Sequence, residues 1–238
     1  MSAEKTDDLK YDRKDYAIDA LDPHWADYQT VELIGRGKKI LEIGCATGYF
    51  GKFLKEKRDC VLWGIEVQEK AAELARPHYE KILVGDVAEL LESISERFDV
   101  ILCSNVLEHL TDPLGTLLRL KKSLKTDGCF VIALPNIAHW SIRLSLLFGR
   151  FDYTKIGILD DTHLKFFTLK NAKHLLREAG LRIDSWGFDW DKGIPKFNGL
   201  LSRIPVLGPA FLKFFYSLSP TLFGFQFIFK ASVEKGSG

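Results

Sequence analysis

Short apolar runs recur along the chain, each followed by a stretch in which apolar residues return every three or four positions. "KKILEIG" reads as a strand and "YFGKFLKEKR" as the helix after it. "CVLWGIEV" and "QEKAAELARPHY" repeat the pair, the second helix being interrupted at Pro77. "KILVGD" makes a third strand and "FDVILCSNV" a fourth. "DPLGTLLRLKKSLKTDG" reads as one helix, with Pro113 near its start and Gly128 just past its end. "CFVIALPN" is a fifth strand. Near-continuous apolar strands alternating with helices of about 10–15 residues predict a parallel sheet covered on both faces. Right-handed crossovers then make it doubly wound.

After Asn136 the rhythm changes. "IAHWSIRLSLLFGRFDYTKIGILDDTHLKFFT" fits no simple strand–helix alternation and reads as an inserted, helical lid. "LKNAKHLLREAG" resumes as a helix with a glycine stop, and "LRIDSWGFDW" reads as a strand. A long apolar connection, "GIPKFNGLLSRIPVLGPAFLKFFYSLSP", leads to the final strand, "TLFGFQFIFKA". The expected fold is α/β, a seven-stranded and mostly parallel Rossmann-like sheet. Residues 1–37 form a helical cap, 38–136 a nucleotide-binding core, 137–168 the lid, and 169–233 the rest of the same sheet with its apolar basic insertion.

Composition narrows the partners. Lys plus Arg (33) nearly balance Asp plus Glu (32), so no basic field argues for nucleic acid. Cys45, Cys60, Cys103 and Cys129 form no C-x-x-C pair and lie in apolar runs, as small buried hydrophobes of a reducing compartment do. The charged start "MSAEKTDDLKYDRKDY" has no signal-peptide character, and no charge-free apolar run reaches the ~18–20 residues of a membrane span. The cytoplasm is the expected location.

"ILEIGCATGYFG" puts a carboxylate two residues before a glycine turn. A dinucleotide fingerprint needs G-x-G-x-x-G, but Gly44, Ala46 and Tyr49 occupy those positions. A phosphate would be repelled by Glu42. A positively charged ligand, an ammonium or sulfonium, would be attracted, and Gly44 and Gly48 let the backbone come close. Glu66 ends the second strand about 20 positions after Gly44, where a carboxylate accepts both ribose hydroxyls. Asp86 follows the third strand and can accept the exocyclic amine of adenine. Asn105 ends the fourth, on the crevice side.

"LEIGCATG", "GIEV", "VGDV" and "FDVILCSNVLEHLTDP", in this order, resemble the nucleotide-binding half of a class I S-adenosylmethionine-dependent methyltransferase. The resemblance spans Lys38 to Asn136, with weaker support through Ala231. It implies an antiparallel last strand, S-adenosylmethionine as cofactor, and a binding set of Glu42, Gly44, Ala46, Gly48, Glu66, Val67, Asp86, Val87 and Asn105. Ala46 departs from the third glycine of many members, and its small side chain still permits close approach. "VLEHLTDP" and "DDTHLKFFT" are similar to stretches of bacterial small-molecule methyltransferases, including ubiquinone-pathway O-methyltransferases and enzymes acting on cell-surface sugars.

His109, just beyond the fourth strand, and His163, in the insertion, are the candidate catalytic residues, since either can take a hydroxyl proton near neutral pH. His24, His78, His139 and His174 read as structural or exposed. Glu108, His109, Asp160, Asp161 and His163 could converge on a metal, but they come from two segments without H-x-x-x-H or H-x-H spacing, so no metal is expected.

On the acceptor side, "WSIRLSLLFGRF" carries only Arg143 and Arg150 as charges. No acidic residue falls between Lys192 and Val233, where Lys192, Lys196, Arg203, Lys213 and Lys230 lie among phenylalanines. Such a segment suits a lipid-linked acceptor or a peripheral membrane contact, and equally the interior strand and dimer interface of a protein with a small-molecule acceptor. The leading expectation is methyl transfer to oxygen. The alternative is a non-catalytic protein of the same fold that docks to a partner enzyme.

Overall fold

The computed structural model describes residue 18, residues 23–189, residue 214 and residues 216–234. Its helices are α1 (Ala26–Ile34), α2 (Tyr49–Arg58), α3 (Glu69–Ala75), α4 (Val87–Leu90), α5 (Pro113–Leu120), α6 (Trp140–Leu147), α7 (Leu169–Glu178) and α8 (Pro220–Phe223). Its strands are β1 (Lys39–Ile43), β2 (Val61–Glu66), β3 (Lys81–Val84), β4 (Phe98–Ser104), β5 (Leu124–Pro135), β6 (Leu181–Asp189) and β7 (Gln226–Val233).

All seven strands expected from the apolar runs join one sheet, in the order β3-β2-β1-β4-β5-β7-β6. The first five are parallel, and β7 runs antiparallel between β5 and β6. From β1 the chain first winds outward to β3, then returns past β1 to β4 and β5. The direction of winding therefore reverses between β1 and β4. In open sheets of this kind ligands bind beyond the carboxyl ends of the strands at such a reversal, which makes the loops after β1 and β4 the place to look for a site.

Strand residues alternate between two cores. Leu41, Ile43, Ile101, Cys103, Phe130 and Ile132 face α5 and α7, which supply Leu117, Leu120, Leu175 and Leu176. Ile40, Leu62, Val100, Leu102 and Val131 face α1, α2 and α3, which supply Val31, Ile34, Phe50, Leu54, Ala72 and Ala75. The alternation puts Glu42 on the second face. Phe130, Phe227 and Phe229 are fully buried, and each contributes about 1.5–3 kcal/mol of hydrophobic stabilisation. The four cysteines are buried thiols.

Three expectations are corrected. The helix opening at Pro113 stops at Leu120, and after a 3₁₀ turn over Lys121–Ser123 the chain is already in β5. The reason is pairing: Leu124 sits opposite Phe98 and is buried, so strand geometry wins over the helical run of leucines and lysines. The insertion is helical only in α6, which buries none of its residues; from Phe148 to Thr168 the described chain is irregular. The final strand, expected over "TLFGFQFIFKA", begins only at Gln226: Phe223 lies in α8 and Phe225 precedes β7, leaving Phe227 and Phe229 in the strand.

Of the N-terminal cap, α1 packs on β5 and β7, while residues 1–17 lie outside the described residues. So do Lys192, Lys196, Phe197, Arg203, Pro205, Pro209, Phe211, Lys213 and Phe215. No helix among the described residues is long and apolar enough to cross a membrane.

Tyr79, which ends the turn after α3, is buried on the second face. Its ring occupies a slot walled by glycines. A Cβ on Gly51 would overlap the ring, and Cβ atoms on Gly48 and Gly64 would come within 3.1 and 3.2 Å of it. Alanine is favoured over glycine in a helix by about 1 kcal/mol, yet Gly51→Ala in α2 should destabilise the protein by about 1–3 kcal/mol through overpacking. Urea unfolding measures this, and in a Tyr79→Ala background the same change should become neutral or stabilising. A stabilising Gly51→Ala in the wild-type background would show that the ring has room to move.

Candidate active site

The turn from Gly44 to Gly48 closes the top of β1. The Gly44 and Cys45 amides donate to the Ile65 carbonyl (2.8 and 3.1 Å), and Gly48 donates to the Cys45 carbonyl at 2.9 Å. Gly44 (φ 70°), Gly48 (φ 82°) and Ala46 (φ 45°) are left-handed, as are Gly85 (φ 141°) after β3 and Asn105 (φ 51°) after β4. For Gly44 the absence of a side chain also matters sterically, since a Cβ would sit 3.0 Å from Val106 Cγ2 across the crevice. At Ala46 the left-handed turn costs about 1–2 kcal/mol, held in place by the surrounding bonds. The Asn105 amide is anchored to the Ala133 carbonyl at 3.0 Å.

The expected carboxylates form a staircase. Glu42 pairs in register with Gly64, two residues short of Glu66; Glu66 pairs with Val84, two residues short of Asp86. Each step along the sheet therefore raises the carboxylate by two residues. Glu66 is buried and accepts the Ala46 amide at 2.8 Å on one oxygen and the Gln68 amide at 2.9 Å on the other. It ties the glycine turn to the end of β2, and each oxygen keeps lone-pair capacity for a ligand hydroxyl. Asp86 is exposed and caps α4 by accepting the Ala88 amide at 2.7 Å. Beside these, Val67 stands exposed while Val87 is buried.

Glu42 differs from both. It is 3% exposed, and Tyr79 donates its hydroxyl to Oε2 at 2.6 Å. Burial pushes its pKa up to about 8; the Tyr79 bond opposes this, and the charges of Glu66 and Asp27 reinforce it. A cation arriving beside this carboxyl would stabilise its ionised form. A side-chain-free cradle at Gly44, a polar staircase and a carboxyl in need of positive charge together fit a cationic nucleoside.

The other wall is the 3₁₀ turn Leu107–His109 after Asn105. The insertion folds onto it: the Leu164 and Lys165 amides both donate to the Glu108 carbonyl at 2.9 Å. His109 and His163, expected from two distant segments, meet with ring centroids 4.7 Å apart. His109 Nδ1 lies 3.2 Å from the Thr162 carbonyl, and His163 Nδ1 lies 3.0 Å from that of Ile158. Buried Asp160 shapes the loop by accepting the Thr162 amide (2.9 Å) and hydroxyl (2.6 Å) on Oδ1. His139 is structural, capping α6 from a buried position.

Two further residues stand out at this site: Glu108, which the sequence offers only as one member of a metal set that its spacing disfavours, and Tyr79. Glu108 is wholly buried, its Oε1 lies 3.9 Å from His163 Nε2, and neither of its carboxylate oxygens makes a hydrogen bond. Burial pushes its pKa up to about 8; its own backbone amide opposes this, and the charge of Asp160 reinforces it. Tyr79 is the other, and no local pattern signals that it donates to a carboxyl 37 positions earlier.

Residues 13–185 match a family model described as a methyltransferase domain. A ubiquinone biosynthesis O-methyltransferase of Neisseria meningitidis serogroup C is 29% identical over 160 residues, covering 62% of this chain and 65% of that protein. The chain thus spans just under two thirds of that relative's length. Among solved structures, an Archaeoglobus fulgidus S-adenosylmethionine-dependent methyltransferase superposes with a TM-score of 0.56 at 20% identity, covering 83% of this chain and 86% of that one. The O-methyltransferase of a Brevibacillus brevis polyketide synthase, solved with S-adenosyl-L-homocysteine, superposes with a TM-score of 0.52 at 17% identity, covering 82% and 66%.

The raised pKa of Glu42 carries a stability signature. Below about 4.5 the group is neutral whether folded or unfolded; between 4.5 and about 8 only the unfolded chain releases the proton, so stability falls as pH rises and then levels off. Glu42→Gln removes that fall. Its urea midpoint should match the wild type near pH 4.5 and exceed it increasingly up to pH 8, whereas a constant offset would mean that Glu42 is ionised throughout.

Proposed function

The chain belongs to the class I S-adenosylmethionine-dependent methyltransferase family, and on that premise we propose that it methylates a hydroxyl oxygen of a small-molecule, sugar or lipid-linked acceptor. The observation that carries this reading is the carboxylate staircase at the ends of β1, β2 and β3 over a left-handed glycine turn, with a histidine pair gathered at the turn that follows β4. When bound, S-adenosylmethionine supplies a methyl group on a sulfonium whose leaving group departs neutral.

In this reading Glu66 accepts the ribose hydroxyls, and Asp86 accepts the adenine amine beside Val67 and Val87. Glu42, with its carboxyl steadied by Tyr79, faces the positively charged end through the Gly44–Gly48 turn, and Asn105 lines the floor. Most of the rate would come from holding acceptor and methyl in line and dry. A hydroxyl acceptor must also lose its proton, and the cluster of Glu108, His109 and His163 stands where the insertion meets the crevice.

Oxygen is favoured by the names of the relatives, ubiquinone biosynthesis O-methyltransferases among them. An apolar acceptor is supported by the insertion, which exposes Leu144, Leu146, Leu147, Phe148, Tyr153 and Ile156. Arg143 accompanies them, while Arg150 and Lys155 are paired with Asp152 and Asp161 of the same insertion.

Calorimetry should show S-adenosylhomocysteine binding to the wild type, weakened tenfold or more by Glu66→Ala; no binding at millimolar ligand would end this reading. With labelled cofactor and a metabolite and lipid extract, a hydroxylated species should gain the methyl group. His163→Ala should slow that transfer by about 10²–10⁴-fold while leaving S-adenosylhomocysteine binding unchanged. Cofactor binding without transfer to any extract component would instead favour a non-catalytic docking protein.

A further inference from the structure

A buried carboxyl group whose two oxygens both lack a hydrogen bond is costly, and more so when it is charged. Glu108 is in that condition at 0% exposure. What it faces suggests the remedy. One ligand atom from each of Glu108, His109 and His163 lies within 4.8 Å of the other two.

The histidines are already oriented. A carbonyl oxygen only accepts, so the Thr162 and Ile158 carbonyls place the ring hydrogen on Nδ1 of His109 and His163, respectively. The lone pair of each ring is then on Nε2. A backbone carbonyl behind one ring nitrogen, fixing the tautomer so that the other can coordinate, is the usual support of a metal-bound imidazole.

We propose that Glu108, His109 and His163 bind one divalent transition-metal cation of the Zn²⁺ class at the acceptor mouth. Two imidazoles and a carboxylate are the donor set of many catalytic zinc sites, which leave a fourth position for water or substrate. Mg²⁺ and Ca²⁺ prefer oxygen donors, of which this site offers one carboxylate. In a tetrahedral site with ligand bonds of about 2.1 Å, two ligand atoms stand about 3.4 Å apart. His163 Nε2 and Glu108 Oε1 stand 3.9 Å apart, so a small contraction completes that edge. Spacing alone argues against a metal here, because two ligands come from the turn after β4 and the third lies more than 50 residues later. The Leu164 and Lys165 amides on the Glu108 carbonyl bring them together.

The role of the cation rests on the proposed methyl transfer. The acceptor oxygen takes the open position, its O–H bond breaks, and the proton leaves to solvent water because the cation lowers the hydroxyl pKa. The oxygen then forms a bond to the methyl carbon as the carbon–sulfur bond breaks, the electron pair staying on sulfur.

The test uses full-length protein stripped with a chelator, titrated with ZnCl₂ by calorimetry and assayed for zinc after desalting. Co²⁺ serves as the visible-absorption probe. One equivalent of zinc is expected, with Co²⁺ ligand-field bands. Glu108→Gln and His163→Ala should each weaken binding about a hundredfold or more and abolish the bands, with circular dichroism checking the fold; if one variant does not fold, the other decides. His174→Ala, on the far helix α7, should change nothing. No zinc retained by the wild type, or equal retention by both ligand variants, overturns the proposal. S-adenosylhomocysteine binding by the same stripped samples separates the two readings: cofactor without zinc sinks only the metal site, and zinc without cofactor sinks only the methyl-transfer role.

Discussion

Glu42 sits where the sheet interior meets the crevice, and placing a carboxyl there constrains much of what surrounds it. Strand alternation turns its side chain toward α2 and α3, into a layer of leucines, phenylalanines and alanines. Removing a carboxylate from water there is far costlier than any single packing contact can offset. The fold answers with one hydroxyl, that of Tyr79, and with a pKa raised to about 8, which keeps the proton on at neutral pH. Tyr79 can reach only because Gly48, Gly51 and Gly64 leave its ring a slot. The glycines of this region therefore serve two ends: some let the backbone turn left-handed at the crevice, and others clear a path for the aromatic ring beneath it.

The opposite wall solves the same problem differently. Glu108 is equally buried and equally displaced toward its neutral form, yet no hydroxyl comes to meet it. Its backbone is well satisfied instead, accepting two amides from the insertion. The irregular stretch from Phe148 to Thr168 is thus pinned near its end, at Glu108 and again where Phe167 accepts the Ile137 amide, while much of its apolar surface remains in solvent. A pinned mouth with an apolar rim suits an acceptor that is itself largely apolar and reacts at one polar atom.

Much of this was legible in the sequence because it is local. Every strand announced itself as an apolar run, and the carboxylates at the ends of β1, β2 and β3 could be placed by counting along those runs. What could not be read depends on contacts between distant segments. The "KKSLK" stretch looks helical until Leu124 finds Phe98 across the sheet. Tyr79 looks like any aromatic after a broken helix until its hydroxyl meets Glu42. Glu108 and His163 belong to separate segments, and the question of whether they face each other is one of tertiary closure that no spacing rule addresses.

The insertion of β7 between β5 and β6 has a consequence for the order of assembly on the ribosome. Until residues 226–233 have emerged, β5 has an open edge and β6 has no partner in the sheet. Phe227 and Phe229, which fill the core between them, are likewise made after both neighbouring strands. A nascent chain must therefore shelter an incomplete, sticky sheet from the time β5 emerges until β7 follows, and products that stop between the two should be prime clients for chaperones and proteases.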